Sequence, residues 1–467
     1  MSYTLPRIII AALKGGSGKT ITSLGLAAAW LDKGLKVAPF KKGPDFIDAS
    51  WLTLAARRPC YNLDAFLMTD PQIVQSFQSN SAGMDISLIE GNRGLFDGLD
   101  QEGRYSTAAL GKLLKIPIII IVDVTMVTRT VAALVLGCQK FDPGLQIAGI
   151  ILNRVAGPRQ DSIVRNSIEH YCNIPVVGSI PKLKENLFPE RHMGLIPHRE
   201  RGRAEKAITW AKRVVEQNLD LEFIEKIAGD SDLLKSADYD QEQAQPDTPH
   251  KEPLRIGFIR DNAFWFYYPE NLDQLKKLGA VLIEVDSMAD KKLPPLDALY
   301  IGGGFPETQA EALANNKGFR DSLKESIEAG LPVYAECGGL MYLGESLILK
   351  EIAYPMVGAL PLKYVLEKKP QGHGYTILKV NRPNPFYPVG EILKGHEFHY
   401  SKPLIRESNE IDTAFQVKRG RGLDGQRDGL YKKNLLATYT HVHAAGNSLW
   451  SKSFYNKALQ VKRQNRP

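Results

Sequence analysis

The apolar run Ile8-Ile9-Ile10-Ala11-Ala12-Leu13 leads into Lys14-Gly15-Gly16-Ser17-Gly18-Lys19-Thr20, and a helical pattern follows from Ile21 to Lys33. A buried strand, a glycine-rich loop, Lys-Thr and a helix, in that order, form a phosphate-cradling P-loop. Its glycines let backbone N–H groups close around phosphate oxygens, and the helix N-terminus adds positive potential. Residues Lys14, Gly15, Gly16, Ser17, Gly18, Lys19 and Thr20 are therefore the candidate nucleotide site. Lys19 is expected to reach the β- and γ-phosphates, and the Thr20 hydroxyl to ligate Mg²⁺.

Strand-like runs recur between helical patterns at Lys36–Phe40, Ile86–Glu90, Ile116–Val122, Ile147–Asn153 and Val176–Ile180. Such alternation predicts a parallel sheet covered on both faces. The chain has 467 residues, more than one ordinary core holds. Residues Asp238–Pro253 are polar, proline-containing and aperiodic, and read as a linker. A second βα series starts at Leu254–Ile259 and continues through Val281–Val285, Ala298–Ile301 and Pro332–Ala335. The expected organisation is a P-loop domain over 1–237, a linker over 238–253 and a second α/β domain over 254–467.

In an open parallel sheet, ligands sit beyond the carboxyl ends of the strands. Lys42-Gly43-Pro44-Asp45-Phe46-Ile47-Asp48 and Glu90-Gly91-Asn92-Arg93-Gly94-Leu95-Phe96-Asp97-Gly98 both follow strands. Thr20, Asp45 and Glu90 form the expected Mg²⁺ set, since Mg²⁺ binds a few carboxylates plus phosphate oxygens. Asp48 and Asp97 are assigned to the acceptor or intermediate. Asn153 ends a strand, where its amide could read adenine's paired donor and acceptor or serve a turn.

In the second half, Leu331-Pro332-Val333-Tyr334-Ala335-Glu336-Cys337-Gly338-Gly339-Leu340 reads as strand, sharp turn and helix start. Cys337 is expected to be exposed at the helix N-terminus, where the dipole favours thiolate. The Gly338 N–H is the expected oxyanion donor. A second donor is expected from the loop Gly302-Gly303-Gly304-Phe305-Pro306-Glu307, at Gly303. The nucleophile needs a histidine base, and His441, in the terminal strand region, is the choice.

Lys-Gly-Pro-Asp-Phe-Ile-Asp at 42–48, Glu-Gly-Asn-Arg-Gly-Leu-Phe-Asp-Gly at 90–98 and Leu-Asn-Arg-Val at 152–155 resemble the synthetase domain of the cobyrinate a,c-diamide synthase family. The order Thr20, Asp45, Glu90 also resembles the Mg²⁺ ligands of dethiobiotin synthetase, a smaller relative without the second domain. The Gly302–Glu307 loop, the Cys337 segment and Gly395-His396-Glu397-Phe398-His399-Tyr400-Ser401 resemble the class I-type glutaminase domain of the cobyrinate and cobyrate synthases. So does the aromatic loop Asp261–Asn271. The resemblance implies an α/β fold of two domains. The N-terminal one would be a P-loop NTPase-like parallel sheet, similar to dethiobiotin synthetase, and the C-terminal one class I glutamine amidotransferase-like. It implies amidation of the a and c acetates of cobyrinate with ATP, Mg²⁺ and glutamine. Ni-sirohydrochlorin a,c-diamide synthase carries alike motifs, and hydrogenobyrinate is a third candidate macrocycle.

The usual triad carries glutamate two residues after its histidine. Here that position is His443, which leaves the third member open. Glu336, beside the nucleophile, is one candidate for it, although that neighbouring position favours a backbone or structural duty. His396, Glu397 and His399 have strand spacing, and a substrate-facing or structural role is expected rather than metal. Lys14 resembles the extra lysine of deviant P-loops in dimerising ATPases, and a homodimer with facing loops is one arrangement this implies. An intrachain phosphate contact is preferred, because the acceptor carboxylate must approach there. A partitioning or metallochaperone ATPase, the alternative class that Lys14 would suit, needs no glutaminase half.

The net charge of +7 suits a polyanionic ligand or a solvated basic surface alike, with no basic–aromatic interleaving to suggest nucleic acid. No apolar run reaches membrane-spanning length. Met1–Arg7 lacks a signal-peptide layout. Cys60, Cys138, Cys172 and Cys337 lack metal-ligand spacing and read as reduced thiols of a cytoplasmic protein with small-molecule substrates.

Overall fold

The computed structural model describes residues 5–183, 187, 201–232, 234, 253–405 and 411–464. The chain divides into two compact units, Met1–Tyr239 and Asp240–Pro467. Apart from Pro253, the expected linker lies outside the described residues.

The first unit is built on β1 (Arg7–Ala12), β2 (Val37–Lys42), β3 (Tyr61–Leu63), β4 (Ile86–Glu90), β5 (Ile118–Asp123), β6 (Ile147–Val155) and β7 (Val176–Pro181). All pair in parallel, in the order 3-2-4-1-5-6-7. β1, β2 and β4 are buried along their whole length, as strands covered on both faces must be. Strand order reverses around β1, which opens a crevice at the carboxyl ends. Register fixes what meets there: Ile10 of β1 and Lys41 of β2 both pair with Glu90.

β2 runs two residues past the expected end at Phe40, through Lys41 and Lys42, and both lysines are buried. A charged pair can end a buried strand here because carboxylates stand beside Lys41.

Helix α1 (Lys19–Asp32) follows the P-loop, and α2 (Phe46–Ala56) follows β2. No side chain caps the start of α1, so its first N–H groups remain available to an anion. α1 buries Trp30 completely and packs against the helix Arg201–Asn218 at Gly25. A Cβ at Gly25 would lie 2.4 Å from Val215 Cγ2 and 2.5 Å from the Ala211 carbonyl oxygen, so only glycine allows this approach.

In the second unit, parallel strands Ala280–Val285, Leu254–Ile259, Ala298–Ile301, Val333–Glu336 and Leu435–Thr438 lie in that order. The sheet continues antiparallel through Arg427–Lys432, Thr413–Arg419, Gly372–Val380, Ile392–His399 and His441–Val442. Helices Pro269–Lys277, Lys317–Glu328 and Ser448–Gln464 bury apolar faces in this unit. The Cys337 turn leaves the strand Val333–Glu336, and Glu336 pairs with Thr438, three residues before His441.

Candidate active sites in the two units

The P-loop adopts the backbone its glycines permit, with φ +73° at Gly16 and +104° at Gly18. Gly18 is needed twice over, because a Cβ there would lie 2.5 Å from Asn153 Nδ2. Asn153 closes on the loop: its Nδ2 donates to the Ser17 carbonyl at 2.7 Å, and its Oδ1 accepts from the Arg154 N–H. Reading an adenine edge would require that amide to exchange both partners. Lys19 Nζ donates to the Arg93 carbonyl at 2.7 Å. Arg93 itself holds a left-handed backbone, φ +49°. In the same loop the Gly94 N–H donates to Asp97 Oδ2 at 2.8 Å. Lys14 is exposed and 3.4 Å from Asp123, which also binds Arg154 at 2.7 Å.

Thr20 Oγ1 donates to Glu90 Oε1 at 2.8 Å, so two of the three expected Mg²⁺ ligands stand together. Asp45 caps α2, accepting from the Asp48 N–H at 3.1 Å. Lys41, which sequence reasoning missed, stands between the acids. Its Nζ lies 2.7 Å from Asp48, 3.0 Å from Glu90 and 3.3 Å from the Gly91 carbonyl. Burial disfavours the Lys41 ammonium, but the charges of Asp48, Glu90 and Asp45 outweigh it and hold the group above its ordinary value. Burial, with Asp48 beside it, pushes the Glu90 carboxyl up to about 7 against the opposing pull of Lys41. Lys42 is also buried, and desolvation holds its ammonium below its ordinary value despite Asp64.

Among the described residues no group of three or more His, Cys, Asp or Glu forms a ready metal cluster. Mg²⁺ needs only one or two carboxylates when phosphates complete its shell. Glu90 Oε2 is buried without a hydrogen-bond partner, and the Thr20 hydroxyl is beside its other oxygen, a donor set that fits this ion.

In the second unit, Cys337 sits on a strained turn with φ +46° and ψ −100°, a strand-to-helix elbow. The thiol is buried, 4% exposed, rather than exposed as expected. Burial and the nearby carboxylates of Glu307, Glu336 and Glu397 push it well above its ordinary value, although the Gly338 N–H pulls the other way. The expected thiolate is therefore corrected: one short helix end is outweighed by desolvation and three acids.

Gly303 and Gly304 lie against His441 and the Cys337 turn respectively. A Cβ on Gly303 would sit 2.4 Å from His441 Cε1, and one on Gly338 would sit 2.9 Å from the Gly304 carbonyl oxygen. Phe266, from the aromatic loop, packs its ring 4.3 Å from that of His441. His396 is the cross-strand neighbour of His441. Glu397 accepts from the backbone N–H groups of Arg421 and Gly422. His399 stacks on Tyr439 at 3.7 Å. These three residues do not form a metal cluster.

Glu336 reaches both His441 and the backbone beside it. Its Oε2 lies 3.3 Å from His441 Nδ1 and accepts from Tyr300 Oη at 2.9 Å, while Oε1 accepts from the Val442 N–H at 3.0 Å. His443 instead faces Glu270 at 3.4 Å, with its ring 4.8 Å from that of Tyr268.

A P-loop in one unit, implying ATP, and a cysteine on a strand-to-helix elbow in the other are the arrangement of a glutamine-dependent amidating ligase, the class that the matching families and relatives show. The CobQ/CobB/MinD/ParA nucleotide binding domain matches residues 8–196, and the CobB/CobQ-like glutamine amidotransferase domain matches residues 255–449. The cobyrinate a,c-diamide synthase of Magnetococcus marinus is 42% identical over 461 residues, 97% of each chain. Those of Archaeoglobus fulgidus and Methanosarcina acetivorans are 40% and 38% identical, covering 98% and 94% of this chain and 98% and 93% of their own. The chain belongs to the cobyrinate a,c-diamide synthase family. Among the described residues, no helix is long and apolar enough to cross a membrane.

Proposed function

We propose that this chain amidates the a and c acetate carboxylates of cobyrinate, consuming one ATP and one glutamine per amide. The observation that carries this reading is 42% identity over 97% of the chain to a cobyrinate a,c-diamide synthase. Both sites described above support it.

A carboxylate is a poor electrophile, so it must first be activated. A substrate carboxylate oxygen attacks the γ-phosphorus of ATP, ADP leaves, and an acyl phosphate forms. Lys19 exchanges the Arg93 carbonyl for phosphate oxygens and offsets the developing charge. Thr20 and Glu90, with Asp45 close by, would hold Mg²⁺, which supplies further neutralisation of phosphate charge. Lys41 keeps Asp48 and Glu90 aligned through its buried ammonium, and Asp48 and Asp97 face the acceptor.

In the other unit, His441 takes the Cys337 proton as sulfur adds to the carbonyl carbon of glutamine's side-chain amide. The Gly338 and Gly303 N–H groups receive the oxyanion. The same histidine returns the proton to the departing amine, releasing ammonia and leaving a thioester, which water hydrolyses to glutamate. Ammonia then attacks the acyl carbon, expels phosphate and loses a proton to give the amide. Because the resting thiol is protonated, this step depends on His441 as a base rather than on a standing thiolate.

The test is turnover with purified cobyrinate and Ni-sirohydrochlorin side by side, with Cys337→Ser as the control. Cobyrinate should give two amides per macrocycle. Cys337→Ser should lose turnover with glutamine and keep it with high free ammonia. Preferential amidation of the nickel macrocycle would overturn the substrate assignment.

A further inference from the structure

We propose that Glu336, the residue immediately before the nucleophile, is the positioning carboxylate of His441 and completes a Cys337–His441–Glu336 triad. The assignment rests on the reading of Cys337 and His441 as glutaminase nucleophile and base.

The usual order places the carboxylate two residues after the histidine. That position is His443, whose Nε2 lies 3.4 Å from Glu270. His443 and Glu270 are both buried, so position 443 carries a ring that faces an acid of its own. Glu336 reaches His441 from the other strand instead. The register that pairs Glu336 with Thr438 brings its side chain under the His441–Val442 strand. There the Val442 N–H fixes Oε1 at 3.0 Å and the Tyr300 hydroxyl fixes Oε2 at 2.9 Å.

Tyr300 is held in turn. Asn271 Nδ2 donates to Tyr300 Oη at 3.1 Å and to the Val442 carbonyl at 2.7 Å, while its Oδ1 accepts from the Ala444 N–H at 2.7 Å. One asparagine therefore clamps both the histidine strand and the tyrosine that orients Glu336. With two donors committed to it, the carboxylate can only accept from His441 Nδ1. At 3.3 Å this contact is long, as catalytic contacts are before substrate binds. An Nδ1–H donated to Glu336 leaves the Nε2 lone pair to take a proton, which is the tautomer a base needs. The Cε1–Nε2 edge is the one that faces Gly303.

Glu336→Gln tests the assignment. The amide can keep its oxygen on the Val442 N–H and turn its NH₂ toward Nδ1, forcing the wrong tautomer. Glutamine-dependent kcat should fall at least about 10²-fold, with KM for glutamine changed less than about threefold. Alkylation of Cys337 by a diazoketone analogue of glutamine should slow in parallel. Ammonia-dependent amidation should persist, which separates failure of this assignment from failure of the two-activity reading. Loss of the negative charge should also move the acid limb of the glutaminase pH profile to lower pH. Tyr300→Phe removes a donor from the carboxylate and should move that limb to higher pH, with kcat within about tenfold. A Glu336→Gln enzyme within a few-fold of wild type, or a fall in kcat with the acid limb unmoved, overturns the proposal. If Glu336→Gln also lost ammonia-dependent turnover, Tyr300→Phe decides, and an unmoved acid limb there overturns it.

Discussion

Gly303→Ala is the smallest change that should disable one activity and spare the other. The added Cβ would lie 2.4 Å from His441 Cε1, 3.1 Å from His441 Nε2 and 3.1 Å from Phe266 Cβ. An ordinary carbon–carbon contact is ~3.5 Å, so the ring or the loop must retreat by about 1 Å. The ring has little room, because Glu336 holds its Nδ1 edge and Phe266 covers its face. Overpacking of this kind costs about 1–3 kcal/mol of stability, which a domain can survive. Misplacing a catalytic group by ~1 Å costs about 10² in rate. The expected result is therefore a fall of about 10² in glutamine-dependent amidation, or about 2.7 kcal/mol of barrier. The assay is initial rate with glutamine against initial rate with ammonia, on one preparation. The ammonia rate should stay within a few-fold of wild type. An alanine enzyme that uses glutamine normally would refute the close approach of Gly303 to the base.

Three further outcomes follow from the geometry. Glu90→Gln removes the charge beside Thr20 and should weaken Mg·ATP use by about 2–4 kcal/mol while glutamine hydrolysis persists; unchanged ATP kinetics would remove Glu90 from the phosphate site. Lys14→Ala loses only an exposed contact to Asp123, which keeps Arg154, so ATP turnover should stay within a few-fold, in line with a cost of at most ~0.5 kcal/mol. A large loss together with conversion of a dimer to a monomer would reinstate the face-to-face arrangement. Burial, with His441 and His373 adding to it, holds the His396 imidazole down at about 3. The fold therefore favours the neutral ring, and its contribution is complete above about pH 6.5 and lost as pH falls. About 2 kcal/mol should go between pH 6.5 and pH 5; the Tm of His396→Gln should decline less steeply over that range, and parallel slopes would refute the assignment.

What the sequence made legible is what lies contiguous in it. The strand, loop and helix around Lys19 form one unbroken segment, and so do the strand and turn around Cys337, because those chemistries need neighbouring backbone. Lys41 was not legible: its partner Glu90 is 49 residues away, and only the register of β2 against β4 joins them. Two lysines ending a buried strand were the available signal. Glu336 was legible as a candidate but not as a contact, because its partner His441 is 105 residues away and the usual spacing points to position 443. The shift of the Cys337 thiol was beyond reach as well, since it comes from burial and from Glu307 and Glu397, which stand in two elements distant in sequence, a short 3-10 helix and the strand Ile392–His399.

The same contacts explain how both sites can rest without consuming substrate. Lys19 is held by the Arg93 carbonyl, Lys41 by two carboxylates, and Asn153 by the loop it is expected to serve. Each of these groups thus has an internal partner and avoids the cost of burying it unpaired. In the other unit, burial and then the charges of Glu307, Glu336 and Glu397 push the Cys337 thiol above its ordinary value, and a thiol is a far weaker nucleophile than a thiolate. In the mechanism proposed above, glutamine is attacked once its amide carbonyl occupies the Gly303 and Gly338 N–H groups, which offset that repulsion at the moment charge develops. The two resting sites share one device: Lys19 donates to the Arg93 carbonyl and the Cys337 thiol to the Phe398 carbonyl, so a substrate in either unit is expected to compete with a backbone carbonyl already in place.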